Sequence, residues 1–413
     1  MWRPILRPRA GRKIPAELRA DAVGALAAAL PDGLRDPGFA ILLRRIDQSP
    51  IFEGNRVRTY FRGPDTFGAM RAAIDAAREE VLVESYIFKD DATGRSLLDS
   101  FTRAVGRGVR VCVLADAFGS IATRRAFWKE MRARGVEVRL FNPLFPHLLT
   151  QPFRDHRKIL VVDCSTGFTG GMNIGDEYGS SRPSGHGGPW RDTHTEVNGP
   201  AAWGMATVFT EAWLAAGGDA VELHPLAPEC GGIPILVLDS RPGRGHGETA
   251  SVLAAIVAAT RQRLWITNAY FAPRLRAVEV LGEAARRGVD VRILLPGLSD
   301  VSLVRHAGHG HYAALLERGV RIFEYQAAVL HAKTLVADDF VSVAGSTNLD
   351  FRSFHFNAEC NLVLLDEETA RTFSEAFESD LMQSVEITPA DWARRSFLHR
   401  TGDAFARALG PFL

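Results

Sequence analysis

The chain has 413 residues, 46% apolar and 23% charged, with a formal net charge of +1. That length exceeds one ordinary hydrophobic core and fits two domains of typical size. The composition excludes a disordered chain, and the near-zero charge argues against a nucleic-acid-binding protein, which would carry a basic excess or stripe. Four scattered cysteines (Cys112, Cys164, Cys230, Cys360) lack C-x-x-C spacing and read as buried thiols in a reducing compartment.

In chain order, residues 1–51 read as a basic, amphipathic extension. Arg3, Arg7, Arg9, Arg12 and Lys13 occur without an acid and interleave with Trp2, Ile5 and Leu6. Such a segment suits an anionic membrane surface or a disordered basic tail. Val23, Leu26, Leu30, Phe39, Leu43 and Ile46 follow among Arg and Asp, as interfacial helices or as packing against the next domain. No apolar run approaches the roughly 18 residues a spanning helix needs.

Phe67, Met70, Ile74 and Ala77 predict an amphipathic helix over 65–79 with Asp65 as its cap, followed by a strand over 81–88. Val252, Leu253, Ile256 and Val257 predict the matching helix, followed by a strand over 264–271. Arg107-Gly108-Val109 matches Arg287-Gly288-Val289, and Arg134-Gly135-Val136 matches Arg318-Gly319-Val320. In each, glycine ends a helix and a β-branched residue opens a strand. The expectation is an α/β fold of two pseudo-symmetric halves, 52–215 and 235–385, joined by a Gly/Pro/Ala-rich linker at 216–234. Each half would be a mostly parallel mixed sheet flanked by helices, with one active site between them. Residues 386–413 predict a C-terminal amphipathic helix with a capping signature, Thr388-Pro389-Ala390-Asp391. Its Trp392, Phe397, Leu398, Phe405, Leu409 and Phe412 suit core packing, while Arg394, Arg395, Arg400 and Arg407 beside them favour an interface helix.

The chemistry lies in a duplicated pattern. His156-x-Lys158-x-x-x-x-Asp163 and His331-x-Lys333-x-x-x-x-Asp338 are each followed, 17 residues after the histidine, by Asn173 and Asn348. Both asparagines close small-residue turns, Gly170-Gly171-Met172 and Gly345-Ser346-Thr347. Two of the chain's five lysines sit at these equivalent places, which makes solvated strand edges a poor explanation. Alternation puts histidine and lysine on one face of a single strand in each half. A neutral imidazole can attack phosphorus and form a phospho-histidine, while a second histidine protonates the leaving oxygen. Lysines and asparagines supply charge and donors to the non-bridging oxygens. A zinc site at these histidines is the rival reading, disfavoured because an adjacent ammonium repels a divalent cation. No cofactor and no metal are therefore expected in the reaction.

Two weaker features remain. His306, His309 and His311 read as a glycine-loosened loop near the headgroup, with metal binding the lesser alternative. The loop 179–188 reads as a lid or a plain surface insertion.

The duplicated pattern resembles that of the phospholipase D superfamily over roughly 52–385. The resemblance implies two phospholipase D-like halves, His156 and His331 as nucleophile and general acid/base, and Lys158, Lys333, Asn173 and Asn348 as phosphate ligands. It implies that Asp163 and Asp338, counted with the catalytic set, support the motif strands. Phe153-Arg154-Asp155-His156, Pro189-Trp190-Arg191-Asp192-Thr193-His194 and Gly345 through Phe354 look like the bacterial cardiolipin synthases, here of a short, membrane-peripheral kind. In that resemblance Glu359 orients a histidine and Asp192 or His194 does so in the first half. Asp192 is favoured because a carboxylate accepts at any pH near 7, leaving His194 as a substrate contact or a structural histidine. Ser346, Tyr86, Tyr270 and Arg352 complete the substrate-binding candidates.

The implied function is a phosphatidyltransferase joining two phosphatidylglycerols with release of glycerol, with His156 the preferred nucleophile. Its partners would be phospholipids and an anionic membrane surface, not nucleic acid, at the cytoplasmic face of a bacterial inner membrane. A phospholipase D-type hydrolase is the alternative, with a nuclease or a catalytically dead lipid-binding scaffold weaker still.

Overall fold

The computed structural model describes residues 16–143, 153–179, 189–241, 246–396, 401–403 and 406. The basic stretch before residue 16, all but Gly179 of the lid candidate at 179–188 and most of the apolar C-terminal stripe lie outside them.

Helices α1 (Ala16–Ala28) and α2 (Pro37–Asp47) precede the first half. That half runs β1 (Ile51–Tyr60), α3 (Gly63–Ala76), β2 (Glu80–Ser85), α4 (Ala92–Gly106), β3 (Arg110–Asp116), α5 (Arg125–Ala133) and β4 (Glu137–Phe141). It continues through β5 (Arg154–Asp155), β6 (Lys158–Val162), β7 (Thr166–Gly170), α6 (Asp176–Gly179), β8 (His194–Asn198) and α7 (Pro200–Ala215). The second half runs β9 (Ile233–Ser240), α8 (His246–Ala259), β10 (Arg263–Asn268), α9 (Leu275–Arg286), β11 (Asp290–Pro296), α10 (Ser302–Leu316) and β12 (Arg321–Tyr325). It closes with β13 (Lys333–Ala337), β14 (Val341–Gly345), α11 (Phe351–His355), β15 (Asn357–Leu365), α12 (Glu367–Leu381), β16 (Ser384–Ile387) and α13 (Pro389–Ala393).

One continuous sheet carries both halves. An antiparallel β1–β9 pair sits at its centre. Outward from it the order is β8-β7-β6-β2-β3-β4 on one side and β15-β14-β13-β10-β11-β12-β16 on the other. The two orders match strand for strand, apart from the added edge strand β16. The expected mostly parallel pairing does not hold. Only β2–β3–β4 and β10–β11–β12 pair in parallel within the halves, where helices make the crossovers. The other pairs within the halves are antiparallel, and tight turns make two of them hairpins. Asp163 and Cys164 (φ 50° and 48°) turn β6 into β7, and Asp338 and Asp339 (φ 49° each) turn β13 into β14.

Helix closures follow the glycine signals: Gly108 (φ 86°) and Gly288 (φ 92°) adopt the left-handed conformation at equivalent helix ends. The start of α3 differs from expectation. It begins at Gly63 after Arg62, which makes no side-chain cap, and Pro64 sets the first turn, so Asp65 lies inside the helix. Both motif-side strands also end early, at Ser85 and Asn268, freeing the following residues to face the site.

Between the halves, Leu82, Ile159, Val161, Phe209 and Trp213 pack against Ile235, Val237, Cys360, Leu362 and Leu364. This shared apolar core makes the halves one unit, because separating them would return a large apolar area to water. The segment before β1 packs as part of the second half: Val23, Ala27, Phe39, Leu43 and Ile46 are buried with Val252 and Ile256. At the other end Thr388 Oγ1 accepts from Asp391 N at 3.1 Å, as its sequence signals. Trp392 is buried with its ring 4.7 Å from that of Tyr312, while Pro389, Ala390, Asp391, Ala393 and Arg394 around it are exposed. His306, His309 and His311 lie on α10 and not in a loose loop. The intervening Gly308 permits close packing, since a Cβ there would stand 2.4 Å from the Phe271 carbonyl. Cys112, Cys164 and Cys360 are buried free thiols, whereas Cys230 is exposed, contrary to expectation.

Candidate active site

The motif histidines sit just before the strands, not on them. His156 occupies the connector between β5 and β6, and His331 precedes β13. The displacement has a cause: the residues ahead of each histidine cross to the other half. β5 pairs in parallel with β15, matching Arg154 with Asn357 and Asp155 with Ala358, and His156 N donates to Ala358 O at 2.9 Å. Equivalently, Leu330 bridges Arg191, and His331 N donates to Arg191 O at 2.7 Å. Each histidine's backbone is thus fixed by the opposite half.

Side chains repeat the crossing. His156 Nδ1 lies 3.0 Å from Glu359 Oε2, and His331 Nδ1 lies 2.8 Å from Asp192 Oδ2. Asp192 and Glu359 therefore each orient the histidine of the other half, which leaves both Nε2 atoms for the substrate. Glu359 is fully committed: it accepts from Ser346 Oγ (2.5 Å), Ser353 Oγ (2.7 Å) and Asn357 Nδ2 (3.3 Å). Burial raises its proton affinity, but His156 and Lys158 with the Ser346 hydroxyl more than offset this and hold it ionised. Burial pushes Asp192 up to about 6, against the pull of Lys333.

Lys158 Nζ donates to His156 O at 2.6 Å and stands 5.4 Å from the Tyr86 ring centroid. Lys333 donates to His331 O and stands 5.9 Å from the Tyr270 ring. The Tyr86 ring meets His156 at 5.0 Å and the Tyr270 ring meets His331 at 5.7 Å, both edge-on. Tyrosine, histidine and lysine so form equivalent stacks in both halves. Burial lowers Lys158 to about 7 and Lys333 to about 8; each lysine lowers the other half's histidine, and Lys333 also lowers Lys158. Two buried cations this close call for an anion. A phosphodiester between them would restore both charges. Asn173 Oδ1 accepts from Ile87 N at 3.2 Å, while Asn348 has its buried amide oxygen without a partner among the described residues.

Several candidates serve elsewhere. Asp163 accepts from the backbone N–H groups of Arg78, Glu79 and Glu80, each at 2.9 Å. Asp338 does the same for Arg261, Gln262 and Arg263 at 2.7 to 2.9 Å. These aspartates lie at the far ends of β6 and β13, about 16 Å of strand away from the histidines. They are turn supports, outside the reacting centre. Ser346 holds Glu359 and is not placed as a substrate contact. His194 is buried beside Asp192 and Lys158 with both ring nitrogens unpartnered among the described residues, and burial drops it to about 4. Partly exposed Arg352 is near enough to Tyr86 to act on its phenol.

Three further contributors lie outside the repeated motif positions. The Tyr178 hydroxyl lies 3.2 Å from His331 Nδ1 and 3.3 Å from Asn173 Nδ2, and the Trp190 ring stands 5.5 Å from His331. Buried Arg157, between the two motif residues, turns away from the site to Glu84 (3.2 Å), to Ser240 O (3.1 Å) and to Asp239 of the second half. Motif periodicity marks repeated residues, whereas these are single.

Two histidines with crossed carboxylates, flanked by two lysines and two asparagines, form a constellation suited to phosphodiester transfer. The profile of the family described as "Cardiolipin synthase, PLD-like domain" matches residues 70–180 and 252–381, both halves of that centre. "Cardiolipin synthase A" of Pseudomonas putida (strain W619) is 38% identical over 377 residues, 89% of this chain and 77% of the relative. "Cardiolipin synthase 1" of Bacillus anthracis is 32% identical over 388 residues, 90% of this chain and 75% of the relative. The chain belongs to the phospholipase D-like family of cardiolipin synthases. Among solved structures, phosphatidylserine synthase of Haemophilus influenzae shares the fold with a TM-score of 0.68 at 13% identity, covering 90% of this chain and 97% of the other.

Proposed function

We propose that the chain is a cardiolipin synthase-type phosphatidyltransferase working at a membrane surface. One observation carries the site assignment: each histidine presents Nδ1 to a carboxylate of the opposite half, so a single phosphate is addressed from both sides. In the first step His156 Nε2 attacks phosphorus, the bond from phosphorus to the glycerol oxygen breaks, and His331 gives its Nε2 proton to that oxygen. In the second, the hydroxyl of another phosphatidylglycerol gives its proton to His331 and attacks phosphorus, and the nitrogen–phosphorus bond breaks. Ionised Glu359 supports His156 as nucleophile, because accepting from Nδ1–H keeps the lone pair on Nε2. Lys158, Lys333, Asn173 and Asn348 meet the non-bridging oxygens, and no step is routed through a metal.

Attachment at the cytoplasmic face of a bacterial inner membrane is the matching reading of location. Among the described residues no helix is long and apolar enough to cross a membrane. Exposed Phe118 and Ile121 follow β3, and exposed Leu298, Val301 and Leu303 follow β11, at equivalent places in the two halves. The first loop packs on Tyr86 through Ser120, and the second reaches Tyr270 through Asp300 at 2.7 Å. The apolar side chains therefore flank the mouth of the site, where acyl chains would lie. Incubating the purified protein with phosphatidylglycerol vesicles and identifying products by mass spectrometry tests the reading. Cardiolipin with equimolar glycerol is expected; phosphatidic acid as the main product would make the chain a hydrolase.

A further inference from the structure

Away from the site, α10 and the segment after α13 bring together side chains that phosphatidyl transfer does not use. Asp403 Oδ1 lies 2.8 Å from His306 Nδ1 and 3.4 Å from His309 Nδ1. Two imidazole nitrogens thus converge on one carboxylate oxygen, and all three candidate ligand atoms fall within 4.8 Å of one another. We propose that His306, His309 and Asp403 form a zinc site that clasps the C-terminal segment onto α10.

Geometry supports the choice of metal. Tetrahedral zinc with bonds of about 2.0–2.1 Å holds its ligand atoms roughly 3.3 Å apart, near the 2.8 Å and 3.4 Å that separate Asp403 Oδ1 from the two imidazole nitrogens, which themselves lie within 4.8 Å of each other. Two imidazoles and one carboxylate suit zinc, whereas calcium and magnesium prefer all-oxygen shells. The histidines are three residues apart on α10, so both face one side of the helix. The surroundings are also those of a metal site. The far nitrogen of His309, Nε2, lies 3.1 Å from Glu324 Oε1, the outer carboxylate that fixes a ligating ring. Glu324 is itself held by Arg305 at 2.9 Å and by the Tyr312 hydroxyl at 3.2 Å. Arg395 binds the other oxygen of Asp403, Oδ2, which leaves Oδ1 to the metal. With its side chain 40% exposed, His306 leaves the fourth position open to water.

The clasp has a structural consequence. Trp392 packs its ring 5.3 Å from that of His309, so zinc would bind ligands from two elements that already touch through this contact. The inference stands apart from the transfer reaction, and no part of it requires the chain to synthesise lipid.

The test uses the full-length, metal-stripped protein and zinc ion itself, titrated in competition with a chromogenic chelator. One zinc per chain is expected, with a rise in Tm that is absent in His306→Ala. His306 is partly exposed, so its replacement should leave the far-ultraviolet circular dichroism unchanged; Asp403→Asn gives a second, independent loss. Glu324→Gln keeps the three ligands and should weaken zinc by about 10–100-fold. Cobalt in place of zinc should show the visible absorption of a tetrahedral centre. Failure of the wild-type chain to take up one equivalent would overturn the proposal, and so would undiminished binding by His306→Ala and Asp403→Asn.

Discussion

His156 and His331 occupy equivalent places in the two halves, yet their Nδ1 atoms meet different company. Nδ1 of His156 faces Glu359, a carboxylate pinned by two serines and an asparagine. Nδ1 of His331 faces Asp192, the Tyr178 hydroxyl and the Lys333 ammonium together. A second difference lies behind them: opposite Gly170 stands the unpartnered His194, whereas opposite Gly345 stands Asn361, bonded to Thr347 at 2.7 Å. Duplication supplied a symmetric frame, and the residues that diverged include those facing Nδ1 of each histidine. A two-step transfer needs that divergence. One ring must stay a nucleophile while the other carries a proton in both directions.

Exchanging each histidine breaks the comparison most sharply. His156→Asn should abolish turnover, by on the order of 10⁴-fold or more, and leave no covalent adduct. His331→Asn should slow transfer from phosphatidylglycerol by about 10²–10⁴-fold, the usual share of general acid–base catalysis. With a lipid bearing an activated leaving group that needs no proton, the same variant should still form the adduct. Peptide mass spectrometry of the trapped enzyme decides the roles, since a label on the His331 peptide would reverse them.

The orienting carboxylates come next. Asp192 ionises near 6, so kcat/KM should fall as pH drops through that value and the negative charge supporting His331 is lost. Lys158 near 7 and Lys333 near 8 lose their charge as pH rises, so the same profile should fall again above that range. Bound phosphodiester raises both lysines, and the alkaline limb of kcat should therefore lie higher than that of kcat/KM. Asp192→Asn should remove the acid limb and lower the plateau by up to about 10⁴-fold. Persistence of that limb in the variant would reassign it to another group.

Arg157 tests the joint between the halves and not the chemistry. Its guanidinium is buried among Glu84, Asp155 and Asp239. Arg157→Met would leave buried carboxylate charge without its partner, costing about 3–5 kcal/mol. Urea denaturation should show the loss, and Asp239→Asn should cost less because Asp239 is partly exposed and its removal leaves Arg157 with Glu84.

The repeat made most of the fold legible. Helix-ending glycines, the paired motifs and the equivalent strands were all present in the sequence as periodic or duplicated signals, and the structure brings both motif histidines and their lysines to the join of two similarly ordered sets of strands. Antiparallel hairpins were missed because their turns use Asp-Cys and Asp-Asp in left-handed conformation, not the usual glycine or asparagine. The crossing of β5 and Leu330 into the opposite half was also hidden. It depends on pairing between residues 203 positions apart in one case (357 − 154) and 139 in the other (330 − 191), which no local pattern encodes. Tyr178 was invisible for the opposite reason, since it belongs to no repeated pattern, and Trp190 stood in a family-like stretch without a role of its own.

The smallest effects separate the motif's two ends. Asp163 and Asp338 belong to the duplicated pattern as firmly as the histidines do, yet each caps three backbone N–H groups at the far end of its strand. A charged acceptor in that position makes stronger bonds than an amide, and Asn also tolerates the left-handed φ found there. Asp163→Asn and Asp338→Asn should each cost about 1–2 kcal/mol of stability, read from the shift in urea midpoint. Activity per folded molecule should stay within about threefold of the parent, because neither carboxylate reaches phosphate. The two variants should also behave alike, since their turns match donor for donor, in contrast with the histidine pair. A large fall in kcat with unchanged stability, in either variant, would return that aspartate to the reacting centre.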